Sequence, residues 1–275
     1  MAGTVADLTI AYRLMSQPNP DDPGQNLFAT SQPPAPDAKK VLGICREWVD
    51  VMTDPKVKTV FDKVVTYLIT ERGYEVVDIK LPFLREGQVA HAATCLSEAA
   101  ADARSRADDP DQYLSLLNHP NRILISTGAQ TSAPDYLRYG QIRQVIMSHL
   151  AHLFQTYPGL MILTPTTPMA GWPIHPGELK YGGSDGNKSI KNMTFVWYAN
   201  VSGCPAVTCP AGYIESVQGE GEVPVGVMAM GEWGMEEELL TWAGEMEGWL
   251  TGPGGGRKRP GEWVDVLKLV RERKD

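Results

Sequence analysis

The sequence predicts an α/β fold: a mixed, largely parallel sheet flanked by helices. Three observations carry this. "KKVLGIC" at 39–45 is a short apolar strand, and an amphipathic helix follows it. The helix runs into a second strand, "YEVVDIKLP". Strand, helix and strand in that order form a right-handed βαβ unit with parallel strands. Further apolar strands alternate with helices to the end of the chain, as in a sheet covered on its faces.

Taken in order, residues 5–15 read as a short helix, because Val5, Leu8 and Tyr12 fall near helical spacing. Residues 16–38 are rich in Pro, Asp, Gln and Ser and make a long irregular connection. After the first strand, Asp54 and Pro55 occupy the cap and first-turn positions of a helix. Val57, Val60, Phe61, Val64, Val65, Leu68 and Ile69 form its i, i+3, i+4, i+7 stripe, and Gly73 ends it. Helices are expected over about 86–106 and 134–156; Ile142, Val145, Ile146, Leu150 and Leu153 supply the buried face of the second. "LMILTPTTP" is an apolar strand that breaks at Pro165. "CPAVTCPAG" is a short strand between prolines, and "VPVGVMAMG" precedes a helix at 235–249. A last helix, 262–273, follows a Gly/Pro-rich linker, so the chain divides into a main unit over 1–250 and a tail over 251–275.

Composition narrows the function. With 275 residues the chain can bury a substantial core. A net charge of −8 and a single dense basic run, Arg257, Lys258 and Arg259, argue against a nucleic-acid binder, whose affinity comes largely from neutralising phosphates. The four cysteines, Cys45, Cys95, Cys204 and Cys209, form no CxxC pair, and reduced thiols in a cytoplasmic protein are the default. The first fifteen residues carry Asp7 and Arg13 and no long apolar run, unlike a signal peptide, and no run of 18 apolar residues predicts a membrane span. His149 and His152 stand three apart on a helix, but with no third ligand nearby they read as structural.

Two stretches are candidates for chemistry. "KYGGSDGNKSIKN", 180–192, holds Ser184 among glycines with Lys188 nearby. A serine hydroxyl needs a base and aligned oxyanion donors, and the polar flanks read instead as a connecting or substrate-gating loop. "LTPTTPMAGWP", 163–173, leaves the sheet at Pro165, and such strand-end exits are where α/β proteins bind ligands. Trp172 there can wall an apolar pocket; an ordinary Pro-rich connection is the alternative.

Several phrases together resemble the carboxy-terminal half of amidase-signature hydrolases. They are Pro165–Thr166–Thr167–Pro168, then Asn200, Gly203, Pro205 and Ala206 with Pro210 and Gly212, then Pro224–Val225–Gly226, in the family's order and spacing. The ending "GYEVVDIKLP" agrees as well. One departure is Met228, where the family often carries glutamine. The larger one is at the front. "MAGTVADL" resembles a Gly-Pro-Met-Ala-like phrase with its start cut off, and the family's catalytic lysine and two serines precede that phrase. The resemblance therefore implies the carboxy-terminal portion of an α/β/α amide hydrolase working through an acyl-serine, with no catalytic residue in this chain. Ser184 is not carried over as the nucleophile, because the family's nucleophile loop lies far earlier. The resemblance further implies a small-molecule amide substrate for the full-length enzyme and no metal or organic cofactor. Thr166, Pro168, Trp172, Asn192 and Trp197 are the expected lining of its substrate pocket. An uncovered sheet edge invites homo-oligomers. Two other readings stand beside it: a non-catalytic binding or scaffold module descended from an amidase, and activity in this chain through Ser184 and Lys188.

Overall fold

A computed structural model describes residues 1–22, 24, 30–183 and 185–258. Five strands form one sheet in the order β2-β1-β3-β5-β4. They are β1 (Val41–Ile44), β2 (Glu75–Asp78), β3 (Leu160–Pro165), β4 (Ala206–Glu215) and β5 (Glu222–Met230). The sheet is mixed: β1 runs parallel to both β2 and β3, whereas β5 runs antiparallel to β3 and β4. The βαβ unit expected at the front is therefore present, with α3 (Pro55–Arg72) as its crossover.

Local chemistry explains the α3 boundaries. Pro55 opens the helix where its missing N–H costs nothing, and Gly73 closes it at φ 71°, a left-handed conformation that glycine adopts without steric cost. Its stripe of Val57, Phe61, Val64, Val65 and Leu68 is buried. α3 packs against β4, β3 and β5, and α10 (Glu236–Thr251) against β4 and α3. Trp249 of α10 donates its Nε1–H to Ala211 O at 2.7 Å, and its ring lies 5.0 Å from Tyr67 of α3.

A second group of helices packs together: α4 (Leu84–Arg106), α5 (His119–Gly128), α6 (Ala133–Thr156) and α9 (Trp197–Ser202). Every residue of β1 and β3 is buried, so both faces of the sheet are covered there. Gly87 is what lets α4 approach: a Cβ at that position would come 2.7 Å from the Trp197 ring and 2.8 Å from Ile146. α2 (Arg46–Met52) brings Trp48 to this layer, 4.9 Å from Phe195 and 5.8 Å from Tyr198.

α1 (Val5–Met15) is held to α10 at both ends. Val5 N donates to Glu247 Oε1 at 3.0 Å. Eight residues later, the Arg13 guanidinium grips the Glu237 carboxylate through two hydrogen bonds, at 2.8 and 2.7 Å. The helix expected at 262–273 lies outside the described residues. Among the described residues no helix is long and apolar enough to cross a membrane.

The Arg13 hydrogen bonds hold the Glu237 carboxyl below the usual glutamate range, against burial, which raises it. A depressed folded-state pKa stabilises the fold above the unfolded value, and that contribution is lost as pH falls through the folded one. Acidification below the ordinary glutamate range is thus expected to loosen α1 from α10. Amide exchange over residues 5–15 should accelerate there before the core exchanges, and Arg13→Gln should abolish the effect.

Candidate functional site

The site is built where β3 leaves the sheet. Thr166 N donates to Gly226 O at 2.9 Å, so the backbone of Thr166 faces β5 and that of Pro165 faces the opposite side. On that side the β1 ladder has already ended, at Gly43 opposite Ile162. The missing N–H of Pro165 therefore leaves no ladder bond broken, and the chain departs at a strand end.

Strand register gathers three rows of side chains on one face of the sheet. Ile162, Met230 and Ala206 make one row, and Thr164, Met228 and Thr208 the next. Thr166, Gly226 and Pro210 complete the set. Ile162, Met230, Thr164 and Met228 are buried, whereas Ala206, Thr208 and Pro210 are exposed and Thr166 and Gly226 half-buried. The result is an open corner floored by hydroxyls, small residues and prolines. The Thr166 and Thr208 hydroxyls stand 3.4 Å apart across it. Glycine is required between them: a Cβ at 226 would lie 2.6 Å from Thr166 Oγ1 and 3.3 Å from Thr208 Cγ2. The Thr164 hydroxyl, buried beside this floor, has no hydrogen-bond partner among the described residues.

The exit segment is anchored at the start of α3. Asp54 N donates to Pro168 O at 2.8 Å, and the Asp54 carboxylate pairs with Lys191 at 3.1 Å. Lys191 belongs to α8 (Gly186–Asn192). Asp54 thus ties Pro168 and the helix carrying Asn192 to one point. Between them the chain runs out as a strap through α7 (Glu178–Tyr181). Ile174 and Gln218 exchange two hydrogen bonds, at 2.7 and 3.1 Å, that pin the strap to the turn after β4. The strap shows its apolar side chains to solvent: Trp172 is 36% exposed and Ile174 51%.

Trp197, the fifth expected lining residue, is placed differently. It is 1% exposed and packs among Trp48, Tyr198 and His91, at ring separations of 6.2, 5.1 and 6.4 Å. It supports α9 from within the core and forms no part of the open surface. Thr208 was not singled out from the sequence; its alternation with buried Cys209 is the signal that could have found it.

Ser184 lies outside the described residues. Lys188 donates its backbone N–H to Asp185 Oδ1 at 3.0 Å, and its ammonium stands 3.8 Å from the same carboxylate. Those contacts make Asp185 the cap of α8, and they hold its carboxyl below the ordinary range, chiefly through the Lys188 N–H. His149 donates Nε2–H to Lys80 O at 2.7 Å, joining α6 to the segment after β2. Among the described residues no three His, Cys, Asp or Glu side chains cluster as metal ligands would. Burial pushes the Cys204 and Cys209 thiols up, to about 11 and about 12, away from the reactive thiolate.

Comparison with known proteins gives a consistent picture. A family model described as Amidase matches residues 1–240. A fatty acid amide hydrolase of Medicago truncatula is 28% identical over 275 residues, covering 97% of this chain and 43% of that protein. A solved amidase structure superposes with a TM-score of 0.65 at 18% identity, over 89% of this chain and 51% of the other. A 6-aminohexanoate cyclic dimer hydrolase, solved with its substrate, gives 0.63 at 19% identity, over 90% and 54%. The chain thus spans about half the length of the relatives it matches.

Two substitutions test the open corner. Gly226→Ala must displace Thr166, and an expected loss of about 1–3 kcal/mol would be read from urea unfolding. Thr164→Val removes a buried hydroxyl with no partner. It should be neutral or stabilising by about 1 kcal/mol in the same measurement, the reverse of an ordinary buried threonine.

Proposed function

The chain belongs to the Amidase family, and from that membership we propose that it is the carboxy-terminal part of an amide hydrolase working through an acyl-serine. The observation that carries this reading is the Amidase match over residues 1–240 joined to half-length coverage of the relatives. In this reading an attacking serine, a second serine and a lysine come from sequence outside this chain. The serine adds to the amide carbonyl, the lysine relays its proton to the departing amine through the second serine, and water then releases the acid. No metal or organic cofactor takes part.

This chain contributes the floor and flank of the pocket. In this reading Thr166 lies on the pocket floor, Pro168 and Asn192 on the exit segment and helix α8 flank it, and Trp172 offers an apolar wall. Trp197 acts through packing, by holding α9 in place. The hydroxyls of Thr166 and Thr208 can hydrogen-bond a polar substrate group, and the exposed apolar strap suits an apolar acyl chain. The fatty acid amide hydrolase of Medicago truncatula bears a name consistent with that substrate class.

Loss of an entire triad lowers turnover on the order of a million-fold in the best-studied serine hydrolase. The purified chain is therefore expected to release no ammonia from primary amides above the buffer rate. Ser184→Ala should leave that result unchanged, and co-expression with a polypeptide bearing the family's lysine and serine loop should create activity. Turnover by the chain alone that disappears in Ser184→Ala or Lys188→Ala would sink the reading. Absence of activity in every combination would favour a binding or scaffold module.

A further inference from the structure

Off the outer edge of β4, a cavity of about 380 Å³ lies between the first turn of α1 and the end of α10. It adjoins the open corner, and Thr208 belongs to both. Its walls include the apolar side chains of Val5, Leu8, Met246 and Leu250. Two charged residues of opposite sign line it, Glu247 and Arg257. Neither takes part in an ion pair among the described residues, so the two charges are not joined to each other across the cavity. Glu247 is held in place: its Oε1 accepts from Val5 N at 3.0 Å, which leaves Oε2 for another donor.

A cavity with apolar walls, one fixed anion and one cation that is outside any ion pair among the described residues is complementary to a small molecule that carries both charges and an apolar group. A bare carboxylate would meet Glu247 unfavourably, and a bare amine would meet Arg257 in the same way. The volume falls toward the small end of ligand pockets, too small for a long chain and sufficient for a molecule of about ten heavy atoms. We propose that this cavity binds a zwitterionic amino acid with an apolar side chain. The ammonium lies at Glu247, the carboxylate at the Arg257 guanidinium, and the side chain among Leu8, Met246 and Leu250. Because α1 roofs the cavity and Val5 N holds Glu247, occupancy also fastens α1 to α10.

The test is thermal unfolding of the purified chain with L-leucine, leucinamide or N-acetyl-leucine, each at about 10 mM, a concentration set by mass action against a weak site. It needs no turnover, so its outcome is independent of the hydrolase reading. Leucine is expected to raise Tm by about 2–4 °C if bound well below that concentration. Leucinamide lacks the carboxylate and N-acetyl-leucine the ammonium, and each should give less than half the shift. Arg257→Gln and Glu247→Gln should abolish the leucine shift; glutamine at 247 retains an acceptor for Val5 N. Leu8→Trp, which fills the cavity, should abolish it without lowering the Tm of the free chain by more than a few degrees. Equal shifts from all three compounds, no shift from leucine, or a leucine shift that survives in both glutamine variants would overturn the proposal.

Discussion

The structure depends on the position of β3. It is the one strand that carries a parallel neighbour on one side, β1, and an antiparallel neighbour on the other, β5. All six of its residues are buried, so both of its faces are covered, as expected for a strand with a parallel neighbour. Within one turn of its end it loses its parallel partner, passes through Pro165 and crosses the face of Gly226. The open corner, the strap and the anchor at Asp54 all follow from that exit. A one-residue slip of β3 against β5 would turn Thr164 and Thr166 to the other face and bury their hydroxyls under α3.

The large elements were legible in the sequence because their periodicity is long enough to read. α3 with its Gly73 stop, α4, α6 and α10 all appear within a few residues of where the spacing puts them, although Ile69 of the expected α3 stripe and Val145 of the expected α6 face stand exposed. The short helices α2, α5, α7, α8 and α9 did not. A six-residue segment such as WYANVS buries Trp197, Tyr198, Ala199, Val201 and Ser202 on nearly all sides, so it has no amphipathic pattern to detect. Its helicity is imposed by Trp48 and by the packing of α4, at Gly87, and α6, none of them near it in sequence. β4 was read as short because prolines bound "CPAVTCPAG", yet it continues to Glu215. Pro210 is tolerated because β4 is an edge strand and its register with β5 shifts between Pro210 and Gly212.

For the candidate site, the sequence marked the exit and, on the floor, Thr166 alone. The break at Pro165 is visible in any reading that treats proline as the end of a ladder. The floor is assembled from three strands, and which side chains share it depends on a register that no local pattern carries. Trp197 shows the opposite failure. The resemblance puts it in the pocket lining, and here the bulk of the ring serves α9 in the core, where Gly87 has made room for it.

The expected route to self-association, pairing at a bare sheet edge, meets specific obstacles. β2 is only four residues long and carries Glu75 and Asp78 at its ends. β4 is interrupted by Pro210 and its register shift, and the first turn of α1 lies beside it across the cavity. Short, charged or proline-broken edges resist addition of another strand. The open corner has no such guard. It presents small residues and hydroxyls in place of backbone hydrogen-bonding groups, so whatever covers it must do so with side chains or a ligand. A surface of Gly226, Ala206 and two threonines permits close approach and polar contact without offering the apolar area that drives non-specific collapse. That combination is costly as a core and suits the floor of a binding site, which is the role the proposed function gives the corner rather than either edge.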